Sequence, residues 1–164
     1  LNTHIPAVLS KVTKIYNIDL SILHQSGEKD RTKVDANYRN YSLRADVKSF
    51  LDEVIEGYVW ADLVICRSGA GTLSELGAVG IGSILIPLPN AIDNHQMLNA
   101  QQLLKSGAAI IVEERNITGN EIFSFFKNIS RTGLLDYAIK ARKCGSTKST
   151  LKVTDEILKS MVKE

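Results

Sequence analysis

The chain of 164 residues is 44% hydrophobic and 23% charged, which is typical of one globular domain with a buried core. Its formal charge of +2 is too small to indicate a nucleic-acid-binding protein by itself. Cys66 and Cys144 are too few for a disulfide framework and lack metal-ligand spacing, which fits a reducing cytosol. No apolar run approaches the roughly 20 residues of a membrane-spanning helix. The chain starts at Leu1, inside a helical pattern, so we expect a piece of a longer protein.

Helical and strand patterns alternate in the first part of the chain. A helix capped by Thr3, with Pro6 in its first turn, is predicted to run to about residue 14. A short strand over residues 18–23 follows and ends in the turn-forming cluster of residues 24–27. Three further segments are predicted: a weakly helical one over residues 30–40, a strand over 43–47 and an amphipathic helix over 50–60.

The same alternation continues to the end. Residues 63–66 are apolar throughout, as expected of a parallel strand buried on both faces, and Cys66 is predicted to be a buried, inert thiol. The later predicted strands are 83–88, stopped by two prolines, and 109–112; the later predicted helices are 72–79, 93–105, 118–129, 133–143 and 149–163. Strands alternating with helices predict an α/β fold with a Rossmann-like, doubly wound parallel sheet. Such a sheet binds ligands outside the carboxyl ends of its strands.

The turn after Cys66 is the first candidate site. Gly69 and Gly71 would let the backbone take positive φ and approach a ligand, and the helix that follows presents free N–H groups to a phosphate. Ser68 and Thr72 add hydroxyl donors, and Arg67 adds a charge. Glu75, one turn into the helix, could accept both hydroxyls of a ribose. The alternative is a capping box, in which Glu75 only bonds back to the N–H of Thr72, and this segment alone leaves the two open.

Two other strand ends carry weaker signals. After residue 88, Asn94, His95 and Gln96 could hydrogen-bond sugar hydroxyls, although a simple N-cap at Asp93 or Asn94 with a solvated His95 is favoured by the residues alone. Phe50-Leu51 could be core or the wall of a slot for a planar base, and core is the default. No hydrolase triad, zinc spacing or phosphate-binding loop of the Walker type is present, and no strong catalytic base stands out.

Taken together, these segments resemble the C-terminal domain of the MurG family, the peptidoglycan glycosyltransferases that add N-acetylglucosamine to lipid I. The resemblance covers nearly the whole chain and rests on the order and spacing of several motifs: Leu1-Asn2, residues 24–27 (His-Gln-Ser-Gly), 58–62 (Tyr-Val-Trp-Ala-Asp), 66–70 (Cys-Arg-Ser-Gly-Ala), Thr72, Ser74-Glu75, Pro87, Asp93, Gln96, Asn99-Ala100 and 107–109 (Gly-Ala-Ala).

The resemblance implies the C-terminal half of a two-domain GT-B enzyme that binds UDP-N-acetylglucosamine and transfers the sugar with inversion. No acidic pair suitable for holding a catalytic metal stands out in the sequence, so we expect no metal or other cofactor to be needed. It implies the following contacts: uracil with Phe50, Leu51 and Val54; ribose with Glu75; diphosphate with Ala70, Gly71 and Thr72; sugar with His95, Gln96 and Asn99. The role of this half would be to stabilise the leaving UDP with helix-end N–H groups and hydroxyls.

The sequence also departs from the family pattern. His95-Gln96 replaces two adjacent glutamines, and Gly71 replaces a larger apolar residue. The family's Gly-rich phosphate loop, first strand and whole N-terminal domain would precede Leu1. That domain would bind lipid I, dock on the cytoplasmic face of the bacterial plasma membrane as a peripheral protein and supply the base, so we expect the isolated chain to be inactive.

Three other interpretations remain open. A stand-alone donor-binding subunit of a dolichol-linked N-acetylglucosamine transferase would resemble this half alone. Other relatives transfer galactose from UDP-galactose to diacylglycerol. A nucleotide-binding module without catalysis belongs to a different functional class.

Overall fold

The structure is a computed structural model that describes residues 1–89 and 94–145. In these ranges five strands alternate with helices: α1 (Ile5–Tyr16), β1 (Ile22–Gln25), α2 (Arg31–Asn40), β2 (Ala45–Lys48), α3 (Val54–Trp60), β3 (Val64–Cys66), α4 (Ala70–Val79), β4 (Ser83–Leu85), α5 (His95–Lys105), β5 (Ala109–Ile111), a 3-10 turn (Glu114–Asn116), α6 (Asn120–Asn128) and α7 (Arg131–Cys144). The predicted helix over residues 149–163 lies outside the described residues. None of the described helices is long and apolar enough to cross a membrane.

The strands form parallel sheets with helices on both faces, so the predicted Rossmann-like α/β fold is confirmed. Within β4 and just after it, side chains alternate between two cores. Ile84 and Ile86 pack with residues of α1 and α6, whereas Leu85 packs with residues of α4, α5 and α7. This alternation is what a central strand requires when both of its faces are covered by helices.

The sheet is interrupted between β1 and β3. Strand β1 pairs with β2, and β3 pairs with β4, which pairs with β5; each pair is parallel. Among the described residues no ladder joins β1 to β3. Ile22 of β1, together with Leu63 and Ile65 at β3, nevertheless packs against the same hydrophobic core. The two edges therefore flank one core without being hydrogen-bonded to each other.

Several predicted boundaries are wrong. Helix α1 begins at Ile5 with His4 at its N-cap and runs to Tyr16, so Thr3 is not the cap. Strand β1 begins at Ile22 rather than at Ile18, because Ile18 and Leu20 lie in the connection after α1, where they pack on the core. The side chains of β3 are half-buried rather than fully buried, because β3 forms an edge at the interruption.

Helix α3 also starts later than predicted. Helix α3 begins at Val54 rather than at residue 50, and Ile55 lies on its exposed side. Helix α5 begins at His95, and the predicted start at Asp93 lies outside the described residues. The end of α5 is as predicted, because Gly107 takes a φ of 71°, which an L side chain rarely adopts.

Candidate functional site

The loop after β3 leads directly into the amino end of α4. Gly69 is the N-cap and carries no side chain to cap the helix, and the N–H of Leu73 donates to the carbonyl of Gly69 at 3.0 Å. Helix geometry therefore leaves the N–H groups of Ala70, Gly71 and Thr72 without intrahelical partners. Together with the positive end of the helix dipole, these donors form a surface suited to an anion.

The two glycines of this turn do not need unusual backbone angles. Gly69 is extended with a φ of −65°, and Gly71 lies in the first turn of α4, so the predicted positive φ at these positions is wrong. The space beside them is open, since a Cβ atom added at Gly71 would meet no protein atom within 4 Å.

Glu75 does not form a capping box. Because α4 begins at Ala70, Thr72 is already inside the first turn and cannot be the N-cap that this motif requires. The Glu75 side chain instead accepts a hydrogen bond of 3.1 Å from the hydroxyl of Tyr58 in α3. Glu75 is half-buried, and its side chain does not cap the amino end of α4.

Arg67 joins the ends of three strands. One guanidinium nitrogen donates to the carbonyl oxygens of Ile86 and Pro87 at 3.2 and 3.1 Å, and the other lies 2.8 Å from a carboxylate oxygen of Glu114. Arg67, which the sequence offered as a charge partner for a phosphate, is therefore already paired with the Glu114 carboxylate. This hydrogen bond is the main cause that lowers the pKa of Glu114.

The start of α5 is fastened to the loop after β3. The buried hydroxyl of Ser68 donates to the carbonyl of Gln96 at 2.7 Å, and the Asn99 amide donates to the carbonyl of Ser68 at 3.4 Å. The Gln96 side chain accepts from the N–H of Leu88 at 3.0 Å. Ser68, Gln96 and Asn99 thus lie together, and a ligand contact by the Ser68 hydroxyl would have to share this hydrogen bond.

His95 stands beside this group as the first residue of α5, and it is exposed. Asn94 is the N-cap, in a left-handed conformation and without a side-chain cap hydrogen bond. The interpretation of Asn94 as a conventional side-chain cap is therefore wrong. Asp93 lies outside the described residues.

Phe50 and Leu51 follow the carboxyl end of β2. The Phe50 side chain is 67% exposed, so the core interpretation is wrong for this residue. Leu51 is half-buried, and its N–H donates to the side chain of Gln25 at the end of β1. A Cβ atom added at Gly57 of α3 would meet Leu51 at 3.6 Å and Leu23 at 3.5 Å. Helix α3, which also carries Val54, therefore lies directly against this strand end.

The half-buried groups beside Glu75 are protonated at neutral pH. Burial raises the pKa of the Cys66 thiol to about 12, and the nearby Glu75 carboxylate adds to the effect, which agrees with the predicted inert thiol. Burial also raises the pKa of Tyr58, as does the charge and hydrogen bond of Glu75. Tyr58 therefore remains a hydrogen-bond donor. Across residues 1–89 and 94–145, no group of three His, Cys, Asp or Glu side chains is arranged to hold a metal ion.

The sequence pattern gives no indication of Glu114, and it predicts residues 24–27 to be a turn or, less favoured, to line the site, without the contacts that His24 makes. The His24 ring nitrogens lie 2.8 Å from the hydroxyl of Tyr38 and 3.0 Å from the side-chain oxygen of Asn2. The helical spacing of Val54 and Tyr58 predicts that they share a face of α3, but it does not predict the contact of Tyr58 with Glu75. Glu114 and Asn2 meet their partners only through tertiary packing and carry no local signal.

Comparisons with known proteins found relatives of similar sequence and structure. The family model described as the glycosyltransferase family 28 C-terminal domain matches residues 1–153. The chain is 36% identical over 155 residues to a protein of Polynucleobacter asymbioticus and 41% identical over 141 residues to one of Dechloromonas aromatica. Both relatives are named UDP-N-acetylglucosamine–N-acetylmuramyl-(pentapeptide) pyrophosphoryl-undecaprenol N-acetylglucosamine transferase.

The matches cover most of this chain but less than half of each relative. They include 94% and 84% of this chain and 43% and 40% of the two curated relatives. The crystal structure of Acinetobacter baumannii MurG aligns with a TM-score of 0.85 and 31% identity, over 97% of this chain and 48% of that one. The chain thus spans roughly the length of one domain of these larger proteins.

Proposed function

The chain belongs to the glycosyltransferase family 28 C-terminal domain family, as the resemblance in its sequence predicts, and we propose that it is the donor-binding part of a MurG-type transferase. The proposed reaction moves N-acetylglucosamine from UDP-N-acetylglucosamine to lipid I and yields lipid II for peptidoglycan synthesis. The observation that supports the proposal is that Leu51, the amino end of α4 and the start of α5 each follow the carboxyl end of a strand, which is the edge at which a parallel sheet binds ligands.

Each part of the donor has a chemically suitable partner along this edge. Phe50, Leu51 and Val54 would contact the uracil ring, and the Glu75 carboxylate would accept the ribose hydroxyls. The N–H groups of residues 70–72 would bind the diphosphate. His95, Gln96 and Asn99 would face the sugar, and Ser68 would contact the donor or hold the start of α5 in place.

The proposed chemistry is an inverting displacement. The 4-hydroxyl of the muramyl sugar attacks the anomeric carbon of the donor, and the bond from that carbon to the diphosphate oxygen breaks as UDP leaves. Negative charge then develops on the diphosphate, where the N–H groups and dipole of α4 stabilise it. The base that takes the proton would come from another domain of the intact protein.

The interruption of the sheet supports a further part of the proposal. A parallel strand placed between β1 and β3 would pair with both edges and continue into α1 as a strand–helix–strand unit. We assign this position to a strand preceding Leu1 in the intact protein, followed by a Gly-rich phosphate loop. An N-terminal domain would bind lipid I and dock peripherally on the cytoplasmic face of the membrane.

A donor-exchange assay tests the proposal. The intact protein is given lipid I with UDP-N-acetylglucosamine, UDP-galactose or UDP-glucose, and lipid II and UDP are measured. We expect turnover with the first donor only, and none with the isolated 164-residue chain, because the proposed acceptor domain would lie outside it. A parallel assay replaces lipid I with dolichol-linked N-acetylglucosamine or diacylglycerol, and transfer to one of these acceptors alone would move the protein to another branch of the family. Donor binding without any transfer by the intact protein would favour a non-catalytic module.

Glu75→Gln provides the matched site variant. Replacing the carboxylate should weaken binding of UDP-N-acetylglucosamine by about tenfold, since hydrogen bonds to charged groups contribute roughly 1.5–3 kcal/mol. Thermal unfolding should be nearly unchanged. Unaltered donor affinity would remove the ribose role from Glu75.

A further inference from the structure

Across the described residues, one hydrogen-bond donor reaches the Glu75 carboxylate. The hydroxyl of Tyr58 donates to Oε2 of Glu75 at 3.1 Å, and the two side chains join α3 to α4. The one cation of the neighbouring loop, Arg67, is held by two carbonyl groups and Glu114. The Tyr58 hydroxyl therefore fixes the Glu75 carboxylate without help from a salt bridge.

The position of Tyr58 depends on the same helix that carries a predicted uracil contact. Val54 and Tyr58 are four residues apart in α3, so they lie on one face of the helix. The helix lies beside Leu51 and Leu23, because a Cβ atom added at Gly57 would be in ordinary van der Waals contact with them at 3.6 and 3.5 Å. The helix that lies beside the wall proposed for uracil therefore also carries the Tyr58 hydroxyl.

We propose that Tyr58 is a positioning residue for the nucleotide: it holds Oε2 of Glu75 so that the rest of the carboxylate stays oriented toward the ribose hydroxyls. This inference rests on the proposed function, because it assigns Glu75 to the ribose. A carboxylate has two acceptor oxygens, so Oε2 can accept from Tyr58 while Oε1 keeps its capacity to accept from the ligand. The phenol acts only through Glu75 and does not touch the nucleotide.

The test compares UDP with 2′,3′-dideoxy-UDP, which lacks both ribose hydroxyls. Binding of each nucleotide to the intact protein is measured by calorimetry for the wild type, Tyr58→Phe, Glu75→Gln and the double variant. Tyr41→Phe is the control, because that side chain is exposed on another part of the fold.

Tyr58→Phe should weaken UDP binding by about fivefold and leave dideoxy-UDP binding within about twofold, since the lost hydrogen bond acts only on the ribose contact. The double variant should bind UDP as weakly as Glu75→Gln alone, because the effects of two residues that act through one contact are not additive. Tyr41→Phe should bind both nucleotides like the wild type.

The outcomes separate the inference from the proposed function. If the wild type prefers UDP over dideoxy-UDP but Tyr58→Phe retains that preference, the positioning role is wrong and the donor site stands. An equal loss for both nucleotides would mean that Tyr58 only supports the fold, which also overturns the role. If the wild type binds no UDP, the proposed function fails, and the inference fails with it.

Discussion

Arg67 and Glu114 form an ion pair with a nitrogen–oxygen distance of 2.8 Å, which joins the end of β3 to the turn after β5. Because Arg67 also donates to the carbonyl groups of Ile86 and Pro87, the ends of three parallel strands are held by one guanidinium. The loop that leads to α4 starts at the next residue, Ser68. The ion pair therefore stabilises the strand ends beside the loop that leads to α4, where the diphosphate is proposed to bind.

Arg67→Met should lower the free energy of unfolding by about 1–3 kcal/mol, because it leaves two carbonyl groups and a carboxylate without their donor. Urea denaturation of the intact protein measures the change. Arg115→Met is the matched control, since Arg115 pairs with Glu113 nearby but its side chain is 77% exposed. Exposed pairs contribute about 0–1 kcal/mol, so the control should change little. Equal effects of the two variants would contradict the support role of Arg67.

The same pair should make stability depend on pH. The hydrogen bond from Arg67 lowers the pKa of the folded Glu114 carboxyl below its ordinary value of 4.5. A lowered pKa contributes stability that is present above the unfolded value and is lost as the pH falls through the folded value. The difference in unfolding free energy between the wild type and Glu114→Gln should therefore be constant near neutral pH and shrink below pH 4.5. A difference that grows on acidification would contradict the assignment.

The order of the helices and strands follows from local patterns, but their starts do not. Strand β3 lies in the apolar run 63–66, and β4 and β5 lie in apolar runs that follow Gly82 and Gly107, so their type could be predicted. Helix α4 begins at Ala70 because Gly69 is extended and lets the helix start there, whereas Thr72 has the residue type of a cap. The predicted capping box required a helix that starts at Thr72, two residues after the start that the structure shows.

The candidate site could be predicted as a set of strand ends, but its internal contacts could not. A parallel sheet brings residues 50–51, 67–72 and 95–99 to one edge regardless of their side chains. The contact of Tyr58 with Glu75 spans 17 residues and exists only because α3 packs on α4. Ion pairing of Arg67 with Glu114 spans 47 residues and has no local pattern.

Phe50→Ala tests the proposed uracil wall. The ring is 67% exposed, so its removal should change the free energy of unfolding little. If the ring contacts uracil, UDP affinity of the intact protein should fall by about fivefold, since base–aromatic contacts contribute roughly 1–3 kcal/mol. Trp60→Ala is the control, because that ring is 56% exposed at the far end of α3 and has no assigned contact. A larger effect of Trp60→Ala would move the base to another surface.

Gly71 and Gly77 lie in the same helix and should respond oppositely to alanine. At Gly77 an added Cβ atom would stand 2.7 Å from the Cα atom of Gly145, so α4 and the end of α7 would have to separate. Gly77→Ala should therefore destabilise the protein by about 1–3 kcal/mol. A Cβ atom added at Gly71 would meet no other part of the protein within 4 Å, so alanine should stabilise the helix by about 0.5–1 kcal/mol.

Donor binding by Gly71→Ala then distinguishes two explanations of this glycine. If the diphosphate needs the bare backbone, a Cβ atom at position 71 would obstruct it and UDP affinity would fall. The resemblance implies otherwise, because the family has a larger apolar residue there and the diphosphate contacts only backbone N–H groups. We expect Gly71→Ala to raise the midpoint of urea unfolding while calorimetry gives UDP affinity within about twofold of the wild type, since the helix-end donors are unchanged. A stable variant that no longer binds UDP would show that the ligand lies against the Cα atom of Gly71, on the side where the new methyl group projects.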